Sequence, residues 1–313
     1  MTTAIAYTEF GGPEVLHEIP VPERAPRTGE VAIRVTAAGV NPIDAKLRSG
    51  ARPSGEITEP RRVGGDGAGV VIAVGDEVDG FRAGDPVVFA GASGAYATEV
   101  VVAADRVFAR PPQVSAAEGA ALGIPVGTAY QALRSLGVGS GDTLLVHGGS
   151  GAVGQALIQF AVLWGATVIA TSSERRFDRV SALGAIPVSY GDGLADRVRE
   201  VAPHGVTAAI DAAGTDEALQ TSVELVPDRQ RIVTLVRGRD AGGLGIRAFS
   251  GGPPLPLTAQ QQAWRTEAVP VAVALMAAGR FSVELGPSFA LVDAADAHRA
   301  IEAGVDGKIT LVP

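Results

Sequence analysis

The spacing of apolar and polar residues divides the chain into two regions of different pattern. Up to about residue 120, short strands alternate with turns. Glu30 to Ala37 alternates apolar and polar residues as a half-buried strand does, and Gly67 to Val74 is a continuous apolar run. Val87 to Phe89 and Ala95 to Val102 add two further strands, and no long helical pattern interrupts them. The pattern predicts a β-rich, partly barrel-like domain.

From residue 116 onward the pattern changes to alternating helices and strands. Helical spacing covers Ala116 to Ala121 and Thr128 to Ser135, and the later elements follow one another with short connections. Such alternation is typical of a parallel sheet with helices on both faces. The predicted elements are strand Thr143 to His147, helix Ala152 to Trp164, strand Thr167 to Thr171, helix Arg175 to Leu183, strand Pro187 to Ser189, helix Leu194 to Val201, strand Val206 to Asp211, helix Asp216 to Leu225 and strand Arg231 to Val236.

The alternation stops at the loop 238–256, which is rich in glycine and proline. Within it, Leu244 to Phe249 predicts one strand, and an amphipathic helix follows over Trp264 to Gly279. The tail contains a strand around Phe289, a helix over Ala294 to Ala303 and a strand over Lys308 to Val312. We expect this tail to return to the first domain.

Composition excludes several classes of protein. The 313 residues include no cysteine and carry a formal net charge of −8. The lack of thiols removes disulfide, thiolate-zinc and cysteine-nucleophile chemistry, and the acidic balance makes a nucleic-acid partner a poor fit. The N-terminus has no signal-peptide pattern, and the apolar run Ala152 to Trp164 is too short to span a membrane. We therefore expect a cytoplasmic protein without a membrane partner.

The strongest chemical signal is a glycine-rich turn between a predicted strand and a predicted helix. The spacing Gly149-x-Gly151-x-x-Gly154 follows the strand Thr143 to His147 and opens the next helix. Glycines let the backbone approach a pyrophosphate, and a helix N-terminus offers unpaired N–H groups to the anion. The motif is weak alone but specific in this strand–turn–helix context. It predicts a dinucleotide site.

The end of the following strand predicts which dinucleotide binds. NAD sites place a carboxylate there, about 20 residues after the glycines, whereas this chain has Thr171-Ser172-Ser173 followed by Glu174-Arg175-Arg176. Hydroxyl groups and a guanidinium suit the 2′-phosphate of NADP(H). We predict that one of the two arginines binds this phosphate; the alternative is that both are solvated surface charges.

Several segments in the right order resemble the zinc-independent quinone oxidoreductases of the medium-chain dehydrogenase/reductase superfamily (the zeta-crystallin-like family). The resemblance covers nearly the whole chain. The segments are YTEFGGPEVL, Gly39 to Asp44, Leu47 to Gly50, GDGAGVVIAVGDEVDGFRAGDPVVF, GAYATEVVV, Gly127 to Tyr130, HGGSGAVG, Leu183 to Ala185, Asp211 to Gly214 and Gly307 to Ile309.

The resemblance implies the fold class α/β, with a GroES-like β-rich catalytic domain plus a doubly wound parallel-sheet Rossmann domain. It places a discontinuous catalytic domain over 1–121 and 265–313, an NADP(H)-binding domain over 122–264, and the active site in the cleft between them. By the same resemblance, Asn41 faces nicotinamide and substrate. The other cofactor-binding residues implied or predicted are Thr128, Ser150, Gly151, Ala152, Val153, Ser172, Ser173, Arg176, Tyr190, Ala213, Val236 and Arg237.

The resemblance also bears on metal and substrate. Zinc-dependent relatives have a cysteine near the position of Asn41 and a His-Glu pair at Gly65-Asp66, and the four histidines here are scattered, so we predict no metal. Lys46 replaces a tyrosine that many relatives carry near the substrate. With Asn41, Lys46 is a candidate for polarising the substrate.

These observations lead to one functional hypothesis with two alternatives. The hypothesis is hydride transfer from NADPH to a quinone or an α,β-unsaturated carbonyl. The alternatives are an enoyl-thioester reductase of the same superfamily and a non-catalytic NADP(H)-binding sensor. The resemblance also implies a homodimer, in which the candidate edge strand Leu244 to Phe249 would pair across a two-fold axis.

Overall fold

The computed structural model describes residues 2–249 and 256–313, and it divides into two units, Met1–Ile124 with Val269–Pro313 and Pro125–Ala268. The domain boundaries inferred from the sequence, 1–121 with 265–313 and 122–264, stay a prediction. In chain order the strands are β1 Thr2–Tyr7, β2 His17–Val21, β3 Glu30–Gly39, β4 Arg61–Arg62, β5 Asp66–Val74, β6 Pro86–Phe89, β7 Glu99–Ala103, β8 Val107–Ala109, β9 Thr143–His147, β10 Thr167–Ser172, β11 Ile186–Ser189, β12 Ala208–Asp211, β13 Ile232–Thr234, β14 Arg247–Ala248, β15 Leu285–Ala290 and β16 Lys308–Val312. The α-helices are α1 Pro42–Arg48, α2 Ala116–Ala120, α3 Gly123–Leu136, α4 Ala152–Leu163, α5 Phe177–Ala182, α6 Leu194–Val201, α7 Asp216–Leu225, α8 Ala241–Leu244, α9 Ala259–Ala277 and α10 Ala294–Glu302.

The first unit is built on two sheets. A three-stranded sheet has the order β2-β1-β4, and a larger sheet has the order β15-β16-β3-β5-β6-β8, with β7 also paired to β3. Most of these pairs are antiparallel, and β3 bends through two irregularities in its register with β5. Inward-facing residues such as Ile5, Ile33 and Phe89 are buried together in its core. The short helix α1 lies between β3 and β4 in the chain and was not predicted, because its seven residues give little periodicity.

The second unit is a six-stranded sheet whose pairs are all parallel, in the order β11-β10-β9-β12-β13-β14. Counted from β9, this is the strand order 3-2-1-4-5-6 of a doubly wound dinucleotide-binding fold. The predicted fold class is confirmed. Ligands of such sheets bind beyond the carboxyl ends of the strands, where the strand order reverses, which is here between β9 and β12.

The prediction of a strand over Leu244 to Phe249 is wrong in most of its length. Leu244 ends α8, Gly245 follows with φ of +68°, and only Arg247–Ala248 pairs with β13. Gly245 in the left-handed region is a helix C-terminal signal that outweighs the alternation of apolar residues. Residues 250–255 of the loop 238–256 lie outside the described part of the chain. Several other boundaries differ from the prediction; among them, β7 begins at Glu99, α3 begins at Gly123, and α9 begins at Ala259 and ends at Ala277.

Candidate functional site

The glycine turn connects β9 to α4 in the second unit. Gly148 has φ of +80°, a conformation that glycine adopts without strain. Gly154 lies against the turn: a Cβ added there would lie 2.1 Å from the Gly148 carbonyl oxygen, so only glycine fits. The turn is fixed to β10, since the Gly148 N–H donates to Thr171 Oγ1 (3.1 Å) and the Gly149 N–H donates to the Thr171 carbonyl (2.8 Å). The turn is therefore close-packed, and its binding of a phosphate stays a prediction.

The N-terminus of α4 presents backbone donors beside this turn. Gly151 precedes the helix without a side-chain cap, and it is exposed, as is Ala152. The first N–H groups of a helix have no acceptor within the helix, and they carry the positive end of its dipole. Ser150 flanks these groups, and its carbonyl accepts a hydrogen bond from Gln155 Nε2 (2.8 Å). Gly151, Ala152 and Val153 therefore present backbone donors that suit an anion, and their contact with a pyrophosphate stays a prediction.

The turn after β12 lies directly opposite. Asp211 is fully buried, and its Oδ1 accepts hydrogen bonds from the N–H groups of Ala213 (3.0 Å) and Gly214 (2.7 Å). A Cβ on Gly148 would meet the backbone of Ala212 and Ala213 at 3.2 Å. The structure therefore brings Ala213 to the reversal point between β9 and β12. The sequence showed the run Asp211 to Gly214 but not that the Asp211 carboxylate shapes the turn.

The predicted 2′-phosphate residues follow two adjacent strands. Ser172 on β10 pairs in register with Ser189 on β11, so Ser173 and Tyr190 leave the same edge of the sheet. Tyr190 is 60% exposed, and Arg176 lies in a 3₁₀ turn, Glu174–Arg176, immediately after Ser173. Ser172 is buried and its hydroxyl donates to the Ser173 carbonyl (3.2 Å), so Ser173 offers the more accessible hydroxyl. No carboxylate ends β10; Glu174 is exposed beyond it.

Residues of the predicted nicotinamide loop have other contacts. The Arg237 guanidinium is paired with Asp216 (2.9 Å) and Asp240 (2.5 Å). These acceptors raise the pKa of Arg237, and its Nη1 also donates to the Gly214 carbonyl (3.3 Å). Arg237 therefore joins the loop after β13 to the turn after β12. Val236 is half exposed beside Gly214. Roles for both at the nicotinamide stay predictions.

Thr128 lies half-buried in the middle of α3. A threonine can also cap the start of a helix, but α3 begins five residues before Thr128, so Thr128 is not a cap. Among the described residues, no hydrogen bond joins Thr128 to the glycine turn. Its contact with a bound cofactor stays a prediction.

His147 ends β9 beneath the turn and is buried. Its Nε2 lies 3.1 Å from the Ser222 hydroxyl, which donates its hydrogen to the Ala218 carbonyl (2.8 Å). Nε2 must then carry the proton that is shared with Ser222. Burial lowers the pKa of His147 to about 4, so the imidazole is neutral near pH 7. It is a buried packing residue.

We expect the neutral His147 to make stability depend on pH. An unfolded histidine takes up a proton near pH 6.5, whereas the folded one does so only near 4. The contribution of His147 to the free energy of unfolding is therefore fully present above pH 6.5. It is lost as the pH falls toward 4, and the loss amounts to about 3 kcal/mol. Urea unfolding across this range should show a smaller loss for His147→Asn than for the wild type. His204→Asn, at an exposed turn, is the control, and equal losses in the His147 and His204 variants would contradict the assignment.

In the first unit, Asn41 precedes α1 and is only 1% exposed. Its amide nitrogen donates to Asp66 Oδ2 (3.0 Å) and to the Gly39 carbonyl (3.4 Å), and its amide oxygen accepts from Lys308 Nζ. Both amide hydrogens therefore already have acceptors. The prediction that Asn41 polarises a substrate stays a prediction, and the structure gives it no free donor for that task.

The charged partners of Asn41 are buried as well, and the sequence did not reveal them. Burial raises the pKa of Asp44 to about 7, and it also raises the pKa of Asp66. Burial lowers the pKa of Lys308, although the two carboxylates oppose this shift. Asp66 Oδ2 also accepts from the Ile124 N–H (2.8 Å). Two carboxylates and one ammonium thus share one buried site.

Lys46, the second predicted polarising residue, has an exposed side chain on α1. Unlike Lys308 it is open to solvent, so its ammonium is available to an incoming polar group. Its role in catalysis stays a prediction.

These residues do not fit a zinc site. Within residues 2–249 and 256–313, no three His, Cys, Asp or Glu side chains are grouped so that they could hold a metal. Asp66 has one oxygen already bonded to Asn41 and Ile124. A catalytic zinc needs three protein ligands.

The helices of the described residues were also compared with the length and hydropathy that a membrane span requires. None of them meets both requirements.

Comparison with known proteins agrees with this architecture. Residues 27–112 match the family described as "Alcohol dehydrogenase GroES-like domain", and residues 152–241 match "Zinc-binding dehydrogenase". Quinone oxidoreductase of Homo sapiens is 40% identical over 182 residues, which are 56% of this chain and 54% of that protein. Quinone oxidoreductase of Sus scrofa is 31% identical over 330 residues, covering 100% of this chain and 98% of that protein. Thus the match spans about half of the human protein and nearly all of the pig protein.

The solved structures give the same picture. The crystal structure of Escherichia coli quinone oxidoreductase complexed with NADPH has a TM-score of 0.85 at 27% identity, covering 99% of this chain and 100% of that one. A GroES-like unit joined to a Rossmann-type unit defines a medium-chain dehydrogenase/reductase. Within that class, the chain belongs to the quinone oxidoreductase family, as its sequence motifs indicated.

Proposed function

We propose that the protein is an NADPH-dependent, metal-free reductase that transfers hydride to a quinone or an α,β-unsaturated carbonyl. The observation that carries this proposal is the edge of the parallel sheet between β9, β10 and β12. There a close-packed glycine turn, an uncapped helix N-terminus and hydroxyl groups without a carboxylate lie together. The names of the quinone oxidoreductase relatives and the NADPH complex of the Escherichia coli protein support it.

The residues of the second unit have distinct tasks in this proposal. The N–H groups of Gly151, Ala152 and Val153 hold the pyrophosphate, and Ser150 flanks it. Ser173, Arg176 and Tyr190 hold the 2′-phosphate, with Arg176 supplying the charge. When bound, NADPH supplies the hydride, and the protein supplies orientation and exclusion of water.

In the first unit, Lys46 is the better of the two candidates for polarising the acceptor carbonyl. Its ammonium is exposed, whereas both amide hydrogens of Asn41 are bonded within the protein. Asn41 then acts by holding the start of α1. Lys46 lies on this helix, four residues after its first residue, Pro42.

The test is steady-state oxidation of NADPH by the purified full chain with a panel of quinones, enones and enoyl-thioesters. We expect turnover with a quinone or an enone and little with NADH. Faster turnover with an enoyl-CoA or an acyl-carrier thioester would identify an enoyl-thioester reductase. Tight NADPH binding with no turnover for any acceptor would contradict the enzyme and favour a cofactor-binding sensor.

We also propose a homodimer, which the family resemblance implies. β14 lies at the edge of the six-stranded sheet and is only two residues long, so it offers less backbone for pairing than the sequence suggested. Sedimentation velocity measures the state directly, and a monomer at micromolar concentration would refute this proposal.

A further inference from the structure

A chain of buried polar side chains leads from the C-terminal helix α10 to the start of α1. It consists of Arg48, His298, Tyr96 and Asp44, which we call the relay. All four are buried: Tyr96 and His298 are 0% exposed, Arg48 is 1% exposed and Asp44 is 7% exposed. Arg48 Nη1 lies 3.4 Å from His298 Nδ1, the Tyr96 hydroxyl lies 3.3 Å from His298 Nε2, and the same hydroxyl lies 3.0 Å from Asp44 Oδ2.

The donor and acceptor chemistry gives this chain one direction. A guanidinium can only donate, so His298 Nδ1 must be the unprotonated nitrogen. Burial and the Arg48 charge lower the pKa of His298 to about 4, so the ring is neutral and its single proton is on Nε2. His298 then donates to the Tyr96 oxygen, and the one hydrogen of Tyr96 is left for Asp44 Oδ2. Every bond points toward Asp44.

The end of the relay is the turn that begins α1. Asp44 Oδ2 also accepts from the Asn41 N–H (2.9 Å), so this oxygen holds two donors at once. A proton on Oδ2 would oppose both of them. The relay therefore favours the carboxylate form of Asp44. This carboxylate in turn holds the backbone N–H of Asn41, the residue before Pro42.

Other charges also act on Asp44. Asp66 on β5 opposes its ionisation, whereas Lys308 on β16 favours it. On the α10 side, Glu302 pairs with Arg48 Nη2 (2.5 Å) at the outer end, and its carboxylate is 43% exposed. Glu302 thus balances the buried guanidinium without touching Asp44.

We propose that Arg48, His298 and Tyr96 are positioning residues that hold Asp44 as a hydrogen-bond acceptor beneath Asn41, and so set the proton affinity of Asp44. The consequence for turnover rests on the proposed function, because it concerns a site that α1 and Lys46 would help to form. The effect on Asp44 itself does not depend on that function.

The direct test is carboxyl ¹³C NMR of the full chain with labelled aspartate, titrated with pH. The resonance of Asp44 is identified as the one absent from Asp44→Asn. We expect Tyr96→Phe to raise the pKa of Asp44 by about one unit, because one of its two donors is lost. We expect His298→Leu to raise it by a smaller amount. His298→Gln, which keeps a donor toward Tyr96, should lie closer to the wild type than His298→Leu does.

Two controls separate the relay from general loosening of the fold. Tyr7→Phe removes the hydroxyl of another buried tyrosine in the same unit, and Glu302→Gln keeps an oxygen for Arg48. Both should leave the Asp44 titration unchanged. If Tyr96→Phe fails to fold, the two His298 variants still decide the matter. An Asp44 pKa that stays the same in Tyr96→Phe and in His298→Leu would overturn the proposal.

The pH profile of kcat/KM supplies the second readout. The acid limb should move upward by the same amount as the NMR pKa in Tyr96→Phe. An acid limb that stays in place while the NMR pKa moves would overturn the positioning role in turnover. A shifted NMR pKa in a protein without reductase activity would contradict the proposed function and leave the relay standing.

Discussion

Gly154→Ala is expected to weaken NADPH binding by about 10- to 100-fold. The new Cβ would lie 2.1 Å from the Gly148 carbonyl oxygen and 2.7 Å from the Gly149 Cα. Both are backbone atoms of the turn, so no side chain can move aside, and the turn must open away from α4. Overpacking of this kind costs about 1–3 kcal/mol, which equals about one to two powers of ten in affinity when the binding geometry carries the cost.

Titration of NADPH fluorescence measures this effect. Gly139→Ala is the matched control, because it makes the same chemical change in the same unit at a glycine with open space around its Cβ position. Thermal unfolding of the cofactor-free proteins shows how much of the cost falls on the fold. Unchanged NADPH affinity in a folded Gly154→Ala protein would mean that the turn is not the pyrophosphate site.

Arg176→Ala is expected to lower NADPH affinity by about 10- to 100-fold and to leave NADH affinity nearly unchanged. A charge-assisted hydrogen bond contributes about 1.5–3 kcal/mol, and NADH lacks the 2′-phosphate that would receive it. The edge of the sheet beside Arg176 offers the hydroxyl of Ser173 and the exposed Tyr190. Because β10 ends without a carboxylate, no negative charge at the strand end repels the phosphate.

The informative quantity is the ratio of the two dissociation constants, measured side by side. Arg175→Ala removes the neighbouring guanidinium of the same 3₁₀ turn and should leave the ratio as it is in the wild type. A ratio that changes with Arg175 and not with Arg176 would reverse the assignment. Equal loss of NADPH and NADH affinity would show that Arg176 supports the fold of the site and not the phosphate.

Much of the second unit could be predicted because its signals are local. Thr143–His147, Leu194–Val201 and Asp216–Leu225 were predicted with the bounds that the structure has. Each is a buried strand or an amphipathic helix whose period is visible within its own residues. The glycine turn was equally local, since strand, turn and helix follow one another without a break.

The prediction failed where two local signals competed. Around Leu244 the alternation of apolar residues favoured a strand, while Gly245 favoured the end of a helix, and the helix formed. Segments of only a few residues do not contain enough of either period to decide. The short helix α1 was missed for the same reason.

The buried charges were beyond reach of the sequence for a different reason. Arg48 and His298 are 250 residues apart, and Asn41 and Lys308 are 267 apart. Asn41, Arg48 and Lys308 stand in family motifs and His298 does not, and nothing in their spacing showed that they meet. In the sequence the four histidines were only scattered residues, and the structure adds the direction of the hydrogen bonds through His298.

The sequence by itself determined the order of the longer elements, the glycine turn between β9 and α4, the hydroxyl groups after β10 and the lack of any thiol ligand. These follow from residue type and from spacing over a few residues. Only the tertiary structure decided that Asn41 has no spare amide hydrogen, that Asp211 shapes the turn opposite Gly148, and that the relay points toward Asp44. Burial and hydrogen-bond direction depend on which distant segments of the chain pack together. The spacing of residues within one segment does not show which contacts between distant segments are favourable.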